Sequence, residues 1–100
     1  MKTLAETLKE LRDERGLLLR QVAAALEVDT ALISKFEKGE RKPNRNQVIQ
    51  LATFLKVDAD TLLIQFLSDK VVYELGEEEL ANEALKVAEE KINYLKGNRD

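Results

Sequence analysis

The stretch from Leu19 to Gly39 constrains this chain more than any other, because it fits two short helices into so few residues that almost nothing is left to join them. The first segment, roughly Leu19 to Leu26, places Val22, Ala23 and Leu26 on one face. It also contains three consecutive alanines, Ala23 to Ala25, small enough for a backbone that lies close to a neighbour. Only Glu27 and Val28 follow before Asp29, a preferred N-cap whose carboxylate accepts from the free N–H groups of a first helical turn. A second helix therefore begins at Thr30. Its Ile33 and Phe36 lie three apart and share a face, while Thr30, Ala31, Ser34, Lys35 and Lys38 look elsewhere. Gly39 is suited to the left-handed backbone that ends a helix, and Pro43 excludes its continuation. One side of this second helix goes to a core and the other to something outside.

The remaining chain is also helical. Thr3 to Arg15 forms a first helix with a narrow stripe of Leu4, Leu8 and Leu11, ended by Gly16. Asn44 with Gln47 three residues on has the spacing of a capping box, and Val48, Leu51, Ala52 and Leu55 form the buried face of the helix that follows, ending near Lys56. Asp58 caps a fifth segment, in which Leu63, Phe66, Leu67, Val71 and Leu75 carry the pattern to Gly76. Glu77, Glu78 and Glu79 then occupy the expected first turn of a last helix, where negative charge is favoured by the dipole. No strand pattern or internal repeat is present, and the fold class is all-α. Two short helices joined by a tight turn, at the second and third positions, have helix-turn-helix spacing.

Composition narrows the function classes. One hundred residues, 44% apolar, support a single core. With no cysteine and no histidine, the chain lacks thiolate chemistry, the usual general base and the commonest metal ligand. An enzyme is not expected, nor are catalytic residues, a metal site, a cofactor or a small-molecule ligand. No apolar run approaches the roughly 20 residues that span a bilayer, so no membrane partner is expected. The first twenty residues lack the apolar core of a signal peptide, and the expected location is cytoplasmic. The net charge of −3 averages two unlike parts: residues 1–60 carry 11 Lys and Arg against 10 Asp and Glu, and residues 61–100 carry 5 against 9. Within the first part, Lys35, Lys38, Arg41, Lys42 and Arg45 stand against only Glu37 and Glu40, a local basic surface.

The segments LKELRDERGL (8–17), QVAAALEV (21–28), ISKFEKGERKP (33–43) and IQLATFLKVDADTLL (49–63), in this order and spacing, resemble the Cro/C1-type or Xre family of helix-turn-helix proteins. The resemblance covers residues 4–67 and implies a five-helix, lambda-repressor-like helix-turn-helix domain that binds double-stranded DNA with its third helix in the major groove. Carried over by position, it implies that Thr30, Ala31, Ser34 and Lys35 face the bases. It puts Lys38, Arg41, Lys42 and Arg45 in the stretch that contacts phosphates. Arg12 and Glu37 match a pair that ties the first helix to the end of the recognition helix. Lysine can donate to guanine O6 and N7, and alanine can touch a thymine methyl. Three positions depart from the family pattern: Leu18 and Leu19 stand where a hydroxyl cap and a glutamine are common, and Glu27 replaces the usual turn glycine. The leucine pair could serve instead as a protein contact.

The organisation expected is a DNA-binding domain over residues 3–67 and a C-terminal helical extension over residues 68–97. In the extension, Ala81, Leu85, Ala88, Ile92 and Leu95 alternate steps of four and three, a heptad-like stripe that must be covered. It can fold back on its own domain or pack against the same helix of a second chain. The second is favoured, with Leu85, Ala88, Ile92 and Leu95 as dimerisation residues, because a dimer reads two half-sites about 34 Å apart. The function that follows is a sequence-specific transcriptional regulator, repressor or autoregulator, acting as a homodimer. Controllers of restriction-modification operons are compatible with it. The alternative is an antitoxin or protein-interaction module built on the same scaffold.

Overall fold

Side-chain caps set the start of three of the first four helices. Thr3 and Glu6 form a reciprocal capping box at the head of α1 (Leu4–Glu14), Asp29 caps α3 (Thr30–Lys38), and Asn44 with Gln47 caps α4 (Arg45–Leu55). Between them α2 (Leu19–Leu26) has no side-chain donor or acceptor at Leu18, and Gln21 Oε1 accepts from the Leu18 N–H at 2.7 Å instead. α5 (Ala59–Leu75) and α6 (Ala81–Gly97) complete the computed structural model, which describes residues 2–98; among these there are six helices and no strand. The chain is all-α.

Four helix ends use the left-handed backbone. Gly16 (φ 62°) and Gly39 (φ 74°) adopt it without a side-chain clash, whereas Glu27 (φ 57°) and Lys56 (φ 58°) adopt it against a cost of about 1–2 kcal/mol each. The turn between α2 and α3 is therefore strained at Glu27. Tertiary packing over-determines it: Val22, Ala23 and Leu26 on one side and Ile33 and Phe36 on the other are all buried.

Two compact units divide the chain, Met1–Lys70 and Val71–Asp100. In the first, α3 packs on α1 and α2, and α2 packs on α4, around a core in which Val48 and Leu62 have no exposed surface. α5 is tied to α1 by polar contacts: Asp69 Oδ2 accepts from the Leu4 N–H at 2.9 Å, and Thr7 Oγ1 lies 2.9 Å from Gln65 Oε1. Leu19 is half-buried and packed against the core, so it forms no exposed pair with Leu18, which is 48% exposed.

The second unit differs from the sequence expectation at one point. Glu77, Glu78 and Glu79 precede α6 rather than forming its first turn, because successive turns after Leu75 consume residues 76–80 and the acid in the first turn is Glu83. Gly76 is required at the start of that connection, since a Cβ there would lie 2.6 Å from the Val72 carbonyl oxygen. α6 has no buried residue.

Candidate nucleic-acid interface

The presented surface is built from the ends of α3 inward. Asp29 Oδ1 accepts from the Leu32 N–H at 2.8 Å, fixing the first turn. At the other end the Glu40 N–H donates to the Lys35 carbonyl at 2.9 Å, a closure that Gly39 permits through its positive φ. The open space at Gly39, where a Cβ would meet only Ala5 Cβ at 3.9 Å, shows that conformation rather than room is the reason for glycine. Ile33 and Phe36, each 2% exposed, hold the inner face against α1 and α2. With both ends and the inner face fixed, the outer residues follow: Thr30, Ala31, Lys35 and Lys38 are exposed, and Ser34 is half-buried.

After Gly39 the chain runs without helix to Asn44, and Pro43 is buried in the middle of that run. Its anchoring leaves Arg41 and Lys42 exposed before it and Arg45 exposed after it. Arg45 is the first residue of α4, whose start is fixed by the Asn44–Gln47 pair, with the Gln47 N–H donating to Asn44 Oδ1 at 2.8 Å. A cation there faces the positive end of a helix dipole, an unfavourable place unless an anion joins it.

Charge around α3 is sorted by burial. The Arg12 guanidinium donates from Nε to Glu37 Oε2 at 2.7 Å and from Nη2 to Glu37 Oε1 at 3.1 Å, while Nη1 donates to the Leu17 carbonyl at 2.9 Å. The two side chains are only 13% and 8% exposed. The hydrogen bonds that Arg12 donates to Glu37 raise the arginine pKa above its ordinary value, against the opposing effect of burial. Glu37 is thus turned inward and neutralised, and does not offset the lysines beside it. Among the described residues, Lys35, Lys38, Arg41 and Arg45 make no ion pair.

One further cation belongs with these and escapes the sequence reading. Arg20, exposed in the first turn of α2, is the only charged residue of that helix. The first turns of α2, α3 and α4 contain no acid, whereas those of α1, α5 and α6 contain Glu6, Asp60 and Glu83. That asymmetry, an arginine where a carboxylate is the usual complement to the dipole, is the sequence signal that could have singled out Arg20 and Arg45 together. Leu85, Ala88, Ile92 and Leu95 lie apart from this surface in sequence, along α6, where Ala88 is half-buried and the other three are exposed.

Comparison with known proteins agrees with this geometry. A family model described as a helix-turn-helix domain matches residues 3–63. The chain is 33% identical over 69 residues to the HTH-type transcriptional regulator DdrOP3 of Deinococcus deserti, an alignment covering 67% of this chain and 54% of that protein. It thus spans about half the length of the curated relative it matches. A crystal structure of a transcriptional regulator from Listeria innocua superposes with a TM-score of 0.57 at 26% identity, over 96% of this chain and 97% of the other. With α2 and α3 as its two-helix unit, the chain belongs to the helix-turn-helix domain family.

Proposed function

We propose that this chain is a DNA-binding transcriptional regulator that docks α3 in the major groove. The observation that carries the proposal is the combination of a short helix with a fixed inner face and exposed Thr30, Ala31 and Lys35, and of Lys38, Arg41 and Arg45 nearby, which make no ion pair among the described residues. Lys35 and Thr30 supply base-edge donors and acceptors, Ala31 supplies methyl contact, and half-buried Ser34 contributes at the edge of the face. Lys38, Arg41, Lys42 and Arg45 engage phosphates, joined by Arg20 at the head of α2, and fix register without reading sequence. Arg12 and Glu37 touch no DNA; they hold α3 against α1. The names of the Deinococcus and Listeria proteins support a role in transcription.

The reading extends to a cytoplasmic repressor or autoregulator that acts as a homodimer, with residues 3–67 binding DNA and residues 68–97 joining the copies through Leu85, Ala88, Ile92 and Leu95. It uses no metal or cofactor and performs no catalysis. Exposure of Leu18 favours a second role as a protein contact, the reading of an interaction module. Gel-shift titration with the protein's own promoter and with a scrambled duplex of equal length separates the two. The regulator reading expects tighter binding to the promoter; equal affinity for both duplexes removes sequence specificity, and no binding at low salt removes the DNA reading altogether.

A further inference from the structure

α1 supplies none of the side chains assigned to DNA, yet both of its ends are fastened by side-chain bonds to other helices. At its head the Leu4 N–H donates to Asp69 Oδ2 at 2.9 Å, and one turn on Thr7 Oγ1 lies 2.9 Å from Gln65 Oε1. At its tail Arg12 donates to Glu37 of α3 through Nε at 2.7 Å and Nη2 at 3.1 Å. Gln65 and Asp69 stand four residues apart on one face of α5, beside buried Leu62 and Phe66. Thr7, Gln65 and Asp69 are half-buried, which shields their bonds in part from competing water.

The apolar side of α1 does not fix its position. Only Leu4 and Leu8 are buried in it, with Leu11 packed at the edge of the core, a single narrow stripe. Apolar burial is non-directional, and a helix resting on such a stripe can slide or roll while keeping most of its contact. Hydrogen bonds are short and directional, and weaken steeply outside their geometry. A slide by one residue's rise is about 1.5 Å, enough to break the Arg12 bonds or to carry Glu37 along with them. Glu37 lies between Lys35 and Lys38 in the chain, so such a shift reaches the side chains that meet bases and phosphates.

We propose that Asp69 is a positioning residue for DNA binding: by accepting from the Leu4 N–H, with Gln65 holding Thr7, it sets the register of α1, and α1 sets the pose of α3 through Arg12 and Glu37. A carboxylate suits that place, the positive end of the α1 dipole. This rests on the DNA-binding reading above and adds to it a route by which α5 controls the recognition helix.

The test compares two variants of the full-length chain that lose the same charge. Asp69→Asn keeps an acceptor for the Leu4 N–H, and Asp69→Ala does not. Loss of an acid favours binding to a polyanion by charge alone, so without a positioning role both variants bind promoter DNA at least as tightly as wild type. The expected result differs: Asp69→Asn binds like wild type or tighter, whereas Asp69→Ala binds about threefold or more weaker. Both are measured where circular dichroism shows a fully folded protein, and both should keep the wild-type salt slope, since Asp69 meets no phosphate. Thr7→Val, which changes no charge, should weaken binding in the same sense. In a Glu37→Gln background the Asp69→Ala loss should disappear, because the route to α3 is already cut. Asp69→Ala binding as tightly as wild type overturns the proposal, as does an Asp69→Asn loss equal to that of Asp69→Ala. A loss undiminished beside Glu37→Gln overturns the route through Arg12, and an indifferent Thr7→Val removes Gln65 from it. A wild-type chain that binds no DNA overturns the DNA-binding reading and this inference together.

Discussion

Removing the carboxylate of Glu37 tests whether α3 is held in place by the Arg12 bond or only by its apolar face. Glu37→Ala takes away two of the three hydrogen bonds of a guanidinium that is 13% exposed, leaving the Leu17 carbonyl and an ion pair with Asp13 Oδ1 at 3.4 Å. Breaking one side of a buried ion pair costs about 3–5 kcal/mol when the surviving charge stays buried without compensation. Asp13 and water at its edge partly compensate this arginine, so the lower end, about 3 kcal/mol, is expected. For a domain of this size 1 kcal/mol corresponds to about 4–8 °C in Tm, giving a fall of about 12–24 °C in a thermal melt followed by circular dichroism. Arg12→Leu combined with Glu37→Leu removes both charges and should recover most of that loss, with a coupling energy of about 2 kcal/mol in a urea double-mutant cycle. A single substitution costing under about 1 kcal/mol, or a double variant no better than the sum of the two, would show that the bond positions nothing. The pH dependence has a definite sign. A pKa raised in the folded state contributes stability below the unfolded value and loses it as pH rises through the folded one, so the Arg12 contribution persists across the working range and disappears only in strong alkali.

Three other outcomes follow from the same geometry. Glu27→Gly relieves about 1–2 kcal/mol of left-handed strain against about 0.5–1 kcal/mol of added chain entropy, so urea denaturation should show a net gain of about 0.5 kcal/mol; a loss would mean that the backbone at Glu27 is not strained. Asp69→Ala deprives the Leu4 N–H of its acceptor and should cost about 1 kcal/mol, with an unchanged melt counting against a tie between α5 and α1. In DNA binding, the five phosphate-directed cations per copy, Arg20, Lys38, Arg41, Lys42 and Arg45, give a log–log salt slope of about −4.5 per protomer. Arg45→Ala should flatten that slope by about 1 and weaken all sequences alike, whereas Lys35→Ala should change which base is preferred; identical effects of the two would dissolve the division between phosphate and base contacts.

Much of this was legible before any coordinates. The Asp29 and Asn44 caps and the Gly16 and Gly39 stops are local chemistry, a side chain within reach of its own backbone, and they place helix starts and ends accurately. The buried faces of α2, α3 and α4 follow from spacing alone for the same reason. Leu18 and Leu19 were not separable in this way: adjacent and chemically identical, one is exposed and the other packs on the core, because they point in different directions from a turn whose path the rest of the domain sets. Arg20 does not stand out in the sequence, because a single cation in an otherwise uncharged helix carries no pattern. Its interest arises only when it stands exposed beside other acid-free helix starts.

The sequence by itself determined where α1, α3 and α4 begin, where α1 and α3 stop and which face of α2, α3 and α4 is apolar, since caps, glycines and periodicity act over a few residues; it did not place the start of α6, where the turns after Leu75 decide it. Spacing and composition do not say which charges cancel: the Arg12–Glu37 pair is implied only by the family resemblance, and the folded structure forms it. Glu37 and Glu40 are both acids close to α3, but only Glu37 meets Arg12, twenty-five residues away, and is withdrawn from the surface. Tertiary structure also decided that Glu27 and Lys56 must take a backbone that side chains disfavour, because the packing of the helices on either side outweighs the local preference. Local rules fix elements; the field they present depends on partners distant in the chain, which only the folded arrangement brings together.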